Sequence, residues 1–282
     1  MKKSLFFIVV LGLISVTVFG QEYRWETVVM DGSRTGCTAP SKDNVAEAVG
    51  RFEGRKYIAP DGKVYKKNSS VARTARVVLD AQPAMARVKE VVAYSAKPME
   101  AHRPESALSN WFIDLLMKKT EQYSGRKVDV GITNFGGIRI DMPQGEVLLD
   151  DLMSMFPFKN HLVYAEIKGV NLRKILERMA SGRYEVIGGV RIVAEDGRLV
   201  SAEVGGEPLD DEKVYGLATI SFLMTGGDGM ALKDNTQSVI AFEDINIIDA
   251  VLEYVREETA AGRPIDYEAD GRVTIKGERN RR

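Results

Sequence analysis

Lys127-Val128-Asp129-Val130-Gly131-Ile132-Thr133 runs directly into Asn134-Phe135-Gly136-Gly137-Ile138-Arg139. Apolar residues at every second position predict a strand, and the paired glycines behind it predict a loop that lets backbone approach closely. Upstream, Ser106 to Glu121 reads as a helix, capped by Ser106 or Ser109, with Leu108, Trp111, Phe112, Leu115 and Leu116 on one face. Before it, Val71 to Ala93 has helical spacing (Val77, Val78, Ala81, Met85, Val88), which Pro83 must break or kink. Downstream, Glu146 to Leu149 is a short extended piece, and Leu149-Asp150-Asp151 opens a short helix that ends before Pro157. Leu162 to Ile167 alternates again. Asn171 to Ala180 is a helix with Asn171 as its cap. Val190 to Ala194, Leu199 to Val204 and Val214 to Thr219 are strands. Asn246 to Glu257 is the last helix, and Val273 to Ile275 the last strand. Strands and helices interspersed in this way predict a mixed α/β domain.

The ends and the composition narrow the class. Met1-Lys2-Lys3, an apolar run from Leu5 to Phe19, and small residues at Val18 and Gly20 describe a secretory signal peptide over residues 1–20. The run falls short of the about 20 apolar residues a bilayer span needs, so no stable membrane span is expected after its removal. The chain is therefore expected to be exported, with the periplasm as its compartment. Loss of Lys2 and Lys3 moves the net charge from −1 to −3, which offers no basic field for nucleic acid. Cys37 is the only cysteine, so an internal disulfide is excluded and stability must come from a packed core.

Residues 21–85 read as an extension and linker helix. Asp43 to Val49 is a short helix, and Tyr57-Ile58-Ala59 and Lys63-Val64-Tyr65 form a hairpin around Pro60-Asp61-Gly62. Residues 86–276 make the main domain, and 277–282 a basic tail.

Three loops carry residues suited to chemistry. In the first, Asn134 can donate and accept, Gly136 and Gly137 admit a ligand, and Arg139 offers a fork of donors for phosphate or carboxylate. A tight turn with a surface salt bridge explains the same residues. In the second, Phe156-Pro157-Phe158-Lys159-Asn160, the rings are either core plugs or stacking surfaces. In the third, Ser221-Phe222-Leu223-Met224-Thr225-Gly226-Gly227-Asp228-Gly229, Asp228 suits two vicinal hydroxyls or a cap on the next turn. This is neither a P-loop nor a dinucleotide fingerprint, since no Gly-Lys-Ser/Thr follows and the glycine spacing is wrong.

Asn134-Phe-Gly-Gly-Ile-Arg139, Pro157-Phe158 and Phe222-Leu-Met-Thr-Gly-Gly-Asp-Gly229, in this order, resemble the motifs of the 5'-nucleotidase C-terminal domain. The resemblance covers about Ala86 to Lys276. It implies a layered α/β/β/α sandwich. It also implies that Phe158 and Phe222 hold a base between them, that Asp228 binds the ribose hydroxyls, with Gly227 beside it, and that Asn134 contacts the base. Arg139 would meet the phosphate. The family's further phosphate-binding arginine is filled here by Arg103 or replaced by His102.

The resemblance also implies a catalytic metallophosphatase domain whose two metal ions are held by several His and Asp. Only His102 and His161 occur, outside any metal-ligand spacing, and the segment before Ala86 is too short for such a domain. No catalytic residue, metal ligand or cofactor is therefore expected in this chain, and the divalent metals are expected in a separate metallophosphatase polypeptide. The ligand is a nucleotide or nucleoside, and a homodimer is a further partner of this domain type. The chain is expected to be the nucleotide-binding half of a split 5'-nucleotidase; the alternatives are a stand-alone nucleotide-binding protein and a dimerisation module that has lost its ligand.

Overall fold

The structure, a computed structural model, describes residues 44–230 and 232–277. The signal peptide expected over 1–20 and the tail beyond 277 lie outside them. The chain divides into two compact units, residues 1–80 and residues 81–282.

In the first unit, α1 (Val45–Val49) precedes a three-stranded antiparallel sheet of β1 (Arg51–Glu53), β2 (Lys56–Ile58) and β3 (Val64–Lys66). The hairpin expected around Pro60-Asp61-Gly62 joins β2 to β3, and the backbone N–H of Lys63 closes the turn on Asp61 Oδ1 at 3.0 Å. Tyr57, Ala72 and Ala75 form a small core here, with Val49, Phe52 and Tyr65 packed around it.

Helix α2 (Ser70–Met85) contains Pro83, ends two residues later and gives way to a 3-10 turn, Ala86–Lys89. The break or kink expected at Pro83 is an end, and the helical character expected as far as Ala93 does not resume as α-helix. Pro83 has no N–H to give to the preceding turn, and Val91–Ser95 pairs instead as strand β4.

The second unit is built on a longer helix. Ser106 caps α3 (Ala107–Ser124) reciprocally: its Oγ accepts from the backbone N–H of Ser109, and Ser109 Oγ accepts from that of Ser106 at 2.9 Å. Gly125, at φ 63°, terminates the helix in the left-handed region. All five residues expected on its apolar face are buried.

β5 (Val130–Thr133) follows, then β6 (Gly145–Leu148), α4 (Leu149–Met155), β7 (His161–Lys168) and α5 (Gly169–Ala180). Asn171 lies inside α5 and not at its cap, with its amide on the Asn235 carbonyl. Next come β8 (Val186–Gly188), β9 (Val190–Glu195), β10 (Arg198–Val204), β11 (Glu207–Pro208), β12 (Val214–Ile220) and α6 (Ser221–Met224). β13 (Thr236–Asn246), α7 (Ile247–Ala260) and β14 (Val273–Lys276) complete the unit.

The strands form a five-stranded sheet of order β13-β7-β12-β5-β8, a four-stranded sheet of order β11-β10-β9-β14, and the pair β4-β6. Helix α3 packs on the five-stranded sheet and on α7, while α5 packs on β9, β10 and β7, giving the α/β/β/α layers. Gly131 in β5 shows how tight the first contact is. A Cβ there would lie 2.7 Å from Ile113 and Met117 of α3, so a larger residue would push helix from sheet. Lys119, fully buried on α3, donates to Glu253 at 3.0 Å and Glu257 at 2.7 Å of α7, clamping the two helices. Among the described residues no helix is long and apolar enough to cross a membrane.

Candidate functional site

β5 and β12 are parallel neighbours, so their C-terminal ends open on the same edge of the sheet. Loops at the carboxyl ends of adjacent strands are where α/β sheets gather ligand-binding groups. β5 leads into Asn134 and the 3-10 turn Phe135–Gly137, and β12 into α6 and the turn carrying Asp228.

Three cross-links join the loops. Asn134 Nδ2 donates to Asp228 Oδ2 at 2.7 Å, tying the first loop to the third. The backbone N–H of Arg139 donates to the Met155 carbonyl at 3.0 Å, tying the first to the end of α4. Ser221 Oγ donates to Asn160 Oδ1 at 3.3 Å and accepts from the backbone N–H of His161 at 3.2 Å, tying the second to the third.

The two rings of the second loop divide between the alternatives left open by sequence. Phe156 is buried and stacks on Phe112, with centroids 4.2 Å apart. Phe158 turns outward, 47% exposed, and Phe222 on α6 is 39% exposed. Both outward rings line one cavity of about 430 Å3 together with Asn134, Gly136, Gly137, Arg139 and Asp228. Lys159 and Asn160 complete its wall. This volume suits a small organic ligand. The Arg139 guanidinium stands 5.8 Å from the Phe158 ring centroid, so a positive charge borders the aromatic surface.

Gly227 lies under the Phe222 ring. A Cβ on it would come within 2.5 Å of the ring carbons, so its bareness sets where the ring rests. Asp228 itself has φ 52°. Short polar side chains tolerate this left-handed region best among non-glycine residues, and it turns the carboxylate towards Asn134.

Arg103 is not in the wall of this cavity. Its Nε donates to the Tyr184 carbonyl and its Nη2 to Glu185 Oε1, each at 2.8 Å, and its guanidinium covers the Phe135 ring at 4.8 Å. Glu185 is only 3% exposed and gathers three donors: Arg103, Arg183 Nε at 2.8 Å, and the backbone N–H of Phe135 at 2.8 Å. Arg183 Nη2 continues to Asp228 Oδ1 at 2.9 Å. A continuous ionic chain thus runs from Arg103 through Glu185 and Arg183 to Asp228, and Glu185 also pins the turn that carries Gly136 and Gly137. Asp228 first, and Glu185 after it, hold the Arg183 guanidinium still more firmly protonated than an isolated arginine. His102 is exposed, and His161 opens β7.

The family model described as "5'-nucleotidase, C-terminal domain" matches residues 84–234. The chain belongs to the 5'-nucleotidase C-terminal domain family. Protein UshA of Salmonella pullorum is 35% identical over 155 residues, which cover 53% of this chain and 27% of that protein. Protein UshA of Escherichia coli (strain K12) is 32% identical over 156 residues, 52% of this chain and 27% of that protein. The chain thus spans about a quarter of the length of these curated relatives. Among solved structures, the 5'-nucleotidase precursor from Thermus thermophilus superposes with a TM-score of 0.64 at 25% identity, covering 74% of this chain and 44% of that one. The NAD nucleotidase of Haemophilus influenzae shares the fold, with a TM-score of 0.55 at 19% identity over 79% of this chain and 48% of that one.

Within the family domain, Arg183 and Glu185 are the site-bearing residues that sequence reading passed over. Their signal was faint: two charged residues flank Tyr184 just before a three-residue strand of apolar and glycine residues. Nothing local distinguishes them from a solvated turn. Among the described residues no group of three or more His, Cys, Asp and Glu is placed to hold a metal ion.

Proposed function

We propose that this chain is the nucleotide-holding part of a 5'-nucleotidase-type phosphohydrolase, exported to the periplasm, with residues 86–276 as the holding domain and 21–85 as an extension. The observation that carries the reading is the convergence of two outward aromatic rings and one carboxylate on a single cavity of nucleoside size. The base lies between Phe158 and Phe222, where stacking tolerates any base because each has a π-face. Each oxygen of Asp228 already accepts one hydrogen bond, from Asn134 and from Arg183, and keeps a second lone pair for a ribose hydroxyl. Asn134 has a further amide hydrogen for the ligand. Arg139 meets the 5'-phosphate, and the neighbouring Lys159 adds charge.

Phosphate esters need a very large rate enhancement, and rings, one carboxylate and arginines do not supply it. The metal-activated water comes from a metallophosphatase on another polypeptide, which docks at the phosphate end of the cavity. Calorimetry on the full chain with adenosine and AMP tests the holding role. Wild-type binding that falls about 10- to 100-fold in Phe222→Ala and in Asp228→Ala supports it. Absence of adenosine binding by the wild type overturns it. Release of phosphate from AMP by this chain alone, with divalent metal supplied, overturns the assignment of catalysis to a second chain.

A further inference from the structure

Asp228 stands between two cavities. Its Oδ2 meets Asn134, in the wall of the ring-bearing cavity, and its Oδ1 meets Arg183, in the wall of an adjoining cavity of about 470 Å3. Three cations, Lys174, Arg178 and Arg183, face this second space, against the carboxylates of Glu185 and Asp228. Both carboxylates are already engaged, Glu185 by two guanidiniums and the Phe135 N–H, Asp228 by Asn134 and Arg183. The outer two cations are not comparably neutralised. Among the described residues Lys174 reaches only the neutral Asn171 Oδ1, at 3.3 Å, and Arg178 has no carboxylate partner. Arg178 Nη2 lies 3.0 Å from where a Cβ on Gly229 would sit, so the bare glycine brings this guanidinium against the turn that carries Asp228.

We infer that the second cavity is an anion subsite for a phosphoryl group esterified to the 3' oxygen of the bound ribose, so that the chain holds nucleoside 3'-phosphates more tightly than nucleosides. The inference rests on the nucleotide-holding reading above. A ribose whose hydroxyls meet Asp228 has its 2' and 3' oxygens at the partition between the cavities. Phosphorylation at O3' leaves the 2' hydroxyl for Asp228 and carries a dianion past it. There it meets Arg183 first, then Arg178 and Lys174, as charge-assisted hydrogen bonds require.

The experiment is calorimetry on the full chain with adenosine, adenosine 5'-monophosphate and adenosine 3'-monophosphate, for wild type, Lys174→Gln and Arg178→Gln. Both substitutions sit on the exposed face of α5, away from the rings, so folding and adenosine binding stay at wild-type level. The expected result is adenosine 3'-monophosphate binding at least about tenfold tighter than adenosine, with the preference reduced in each variant and the 5'-monophosphate affinity unchanged. Equal affinity for adenosine and its 3'-phosphate overturns the subsite while leaving the holding role intact. So does an equal loss of affinity for both monophosphates, which would mark a general field and not a site. Failure of the wild type to bind any of the three overturns the subsite and the holding role together.

Discussion

Asn134 and Asp228 are 94 residues apart in the chain and joined by a 2.7 Å hydrogen bond from Nδ2 to Oδ2. Asn134 follows β5 and Asp228 lies beyond β12, and only the parallel pairing of these strands brings them together. The bond fixes one oxygen of Asp228, while Arg183 fixes the other. The carboxylate is therefore oriented before any ligand arrives.

This orientation predicts the behaviour of Asp228→Asn. Asparagine tolerates φ 52° and fills the same volume, so the melting temperature should stay close to wild type. The neutral amide offers a single oxygen and weakens the Arg183 contact. Adenosine affinity should fall about tenfold, corresponding to about 1.4 kcal/mol. Affinity for 2',3'-dideoxyadenosine should barely change, so the ratio of the two constants, measured by calorimetry, is the check.

Gly227→Ala should act on the ring above it. Its Cβ would lie 2.5 Å from the Phe222 ring carbons, and Phe222 is exposed enough to swing away. The expected outcome is a stable protein whose nucleoside affinity falls by about 1 kcal/mol or more as the stack is displaced. Melting temperature and adenosine binding, measured on the same preparation, separate this from unfolding.

Glu185 is buried and accepts from three donors, so its removal should cost stability as well as binding. Glu185→Ala leaves the Phe135 N–H without its acceptor and two arginines without their shared counter-charge, and should destabilise by about 3 kcal/mol in denaturant unfolding. Glu185→Gln keeps the shape and one acceptor and should recover part of this loss. Equal stability of Glu185→Ala and wild type would show that the ionic chain has no structural weight.

A buried guanidinium sets a dependence on pH. Arg272, 7% exposed, pairs with Asp114 through both terminal nitrogens at 2.9 and 3.0 Å and also donates to Asp270. Its hydrogen bonds hold the Asp270 carboxyl below the usual value of 3.8, against the opposing effect of burial. A carboxyl lowered in the folded state contributes stability that is full above its unfolded value and is lost as pH falls through the folded one. Unfolding free energy should therefore drop on acidification below about pH 4. In Arg272→Met the fall over that range should be shallower, as urea midpoints at pH 7, 4 and 3 would record.

Sequence periodicity located α3, α5 and α7 closely, because each carries a wide apolar stripe and α3 also carries a reciprocal serine cap. It overran α2, since Val88, Val91 and Val92 continue a helical count although they belong to a turn and a strand. It passed over β13, eleven residues long, where half-buried and exposed positions alternate among polar residues such as Thr236, Ser238 and Glu243. The short β8 went unread for the opposite reason: Val186-Ile187-Gly188 is buried throughout and shows no alternation.

By itself the sequence determined which chemical groups are available: two rings, one carboxylate beside bare glycines, an amide, and arginines near the ends of regular elements. It also determined the α/β class, because both follow from local pattern and residue type. Tertiary structure decided which groups meet. Phe156 goes to the core and Phe158 to the cavity although two positions separate them, because Phe156 caps the end of α4, its N–H still on the Leu152 carbonyl, and Phe158 lies in the loop beyond it. Arg103 turns to Glu185, and Arg183 joins Glu185 to Asp228, because β8 lies beside β5 at the edge of the five-stranded sheet. Hydrophobic periodicity records which face of an element is buried but not which strand lies next to it, and charged side chains find partners only after strand order is settled.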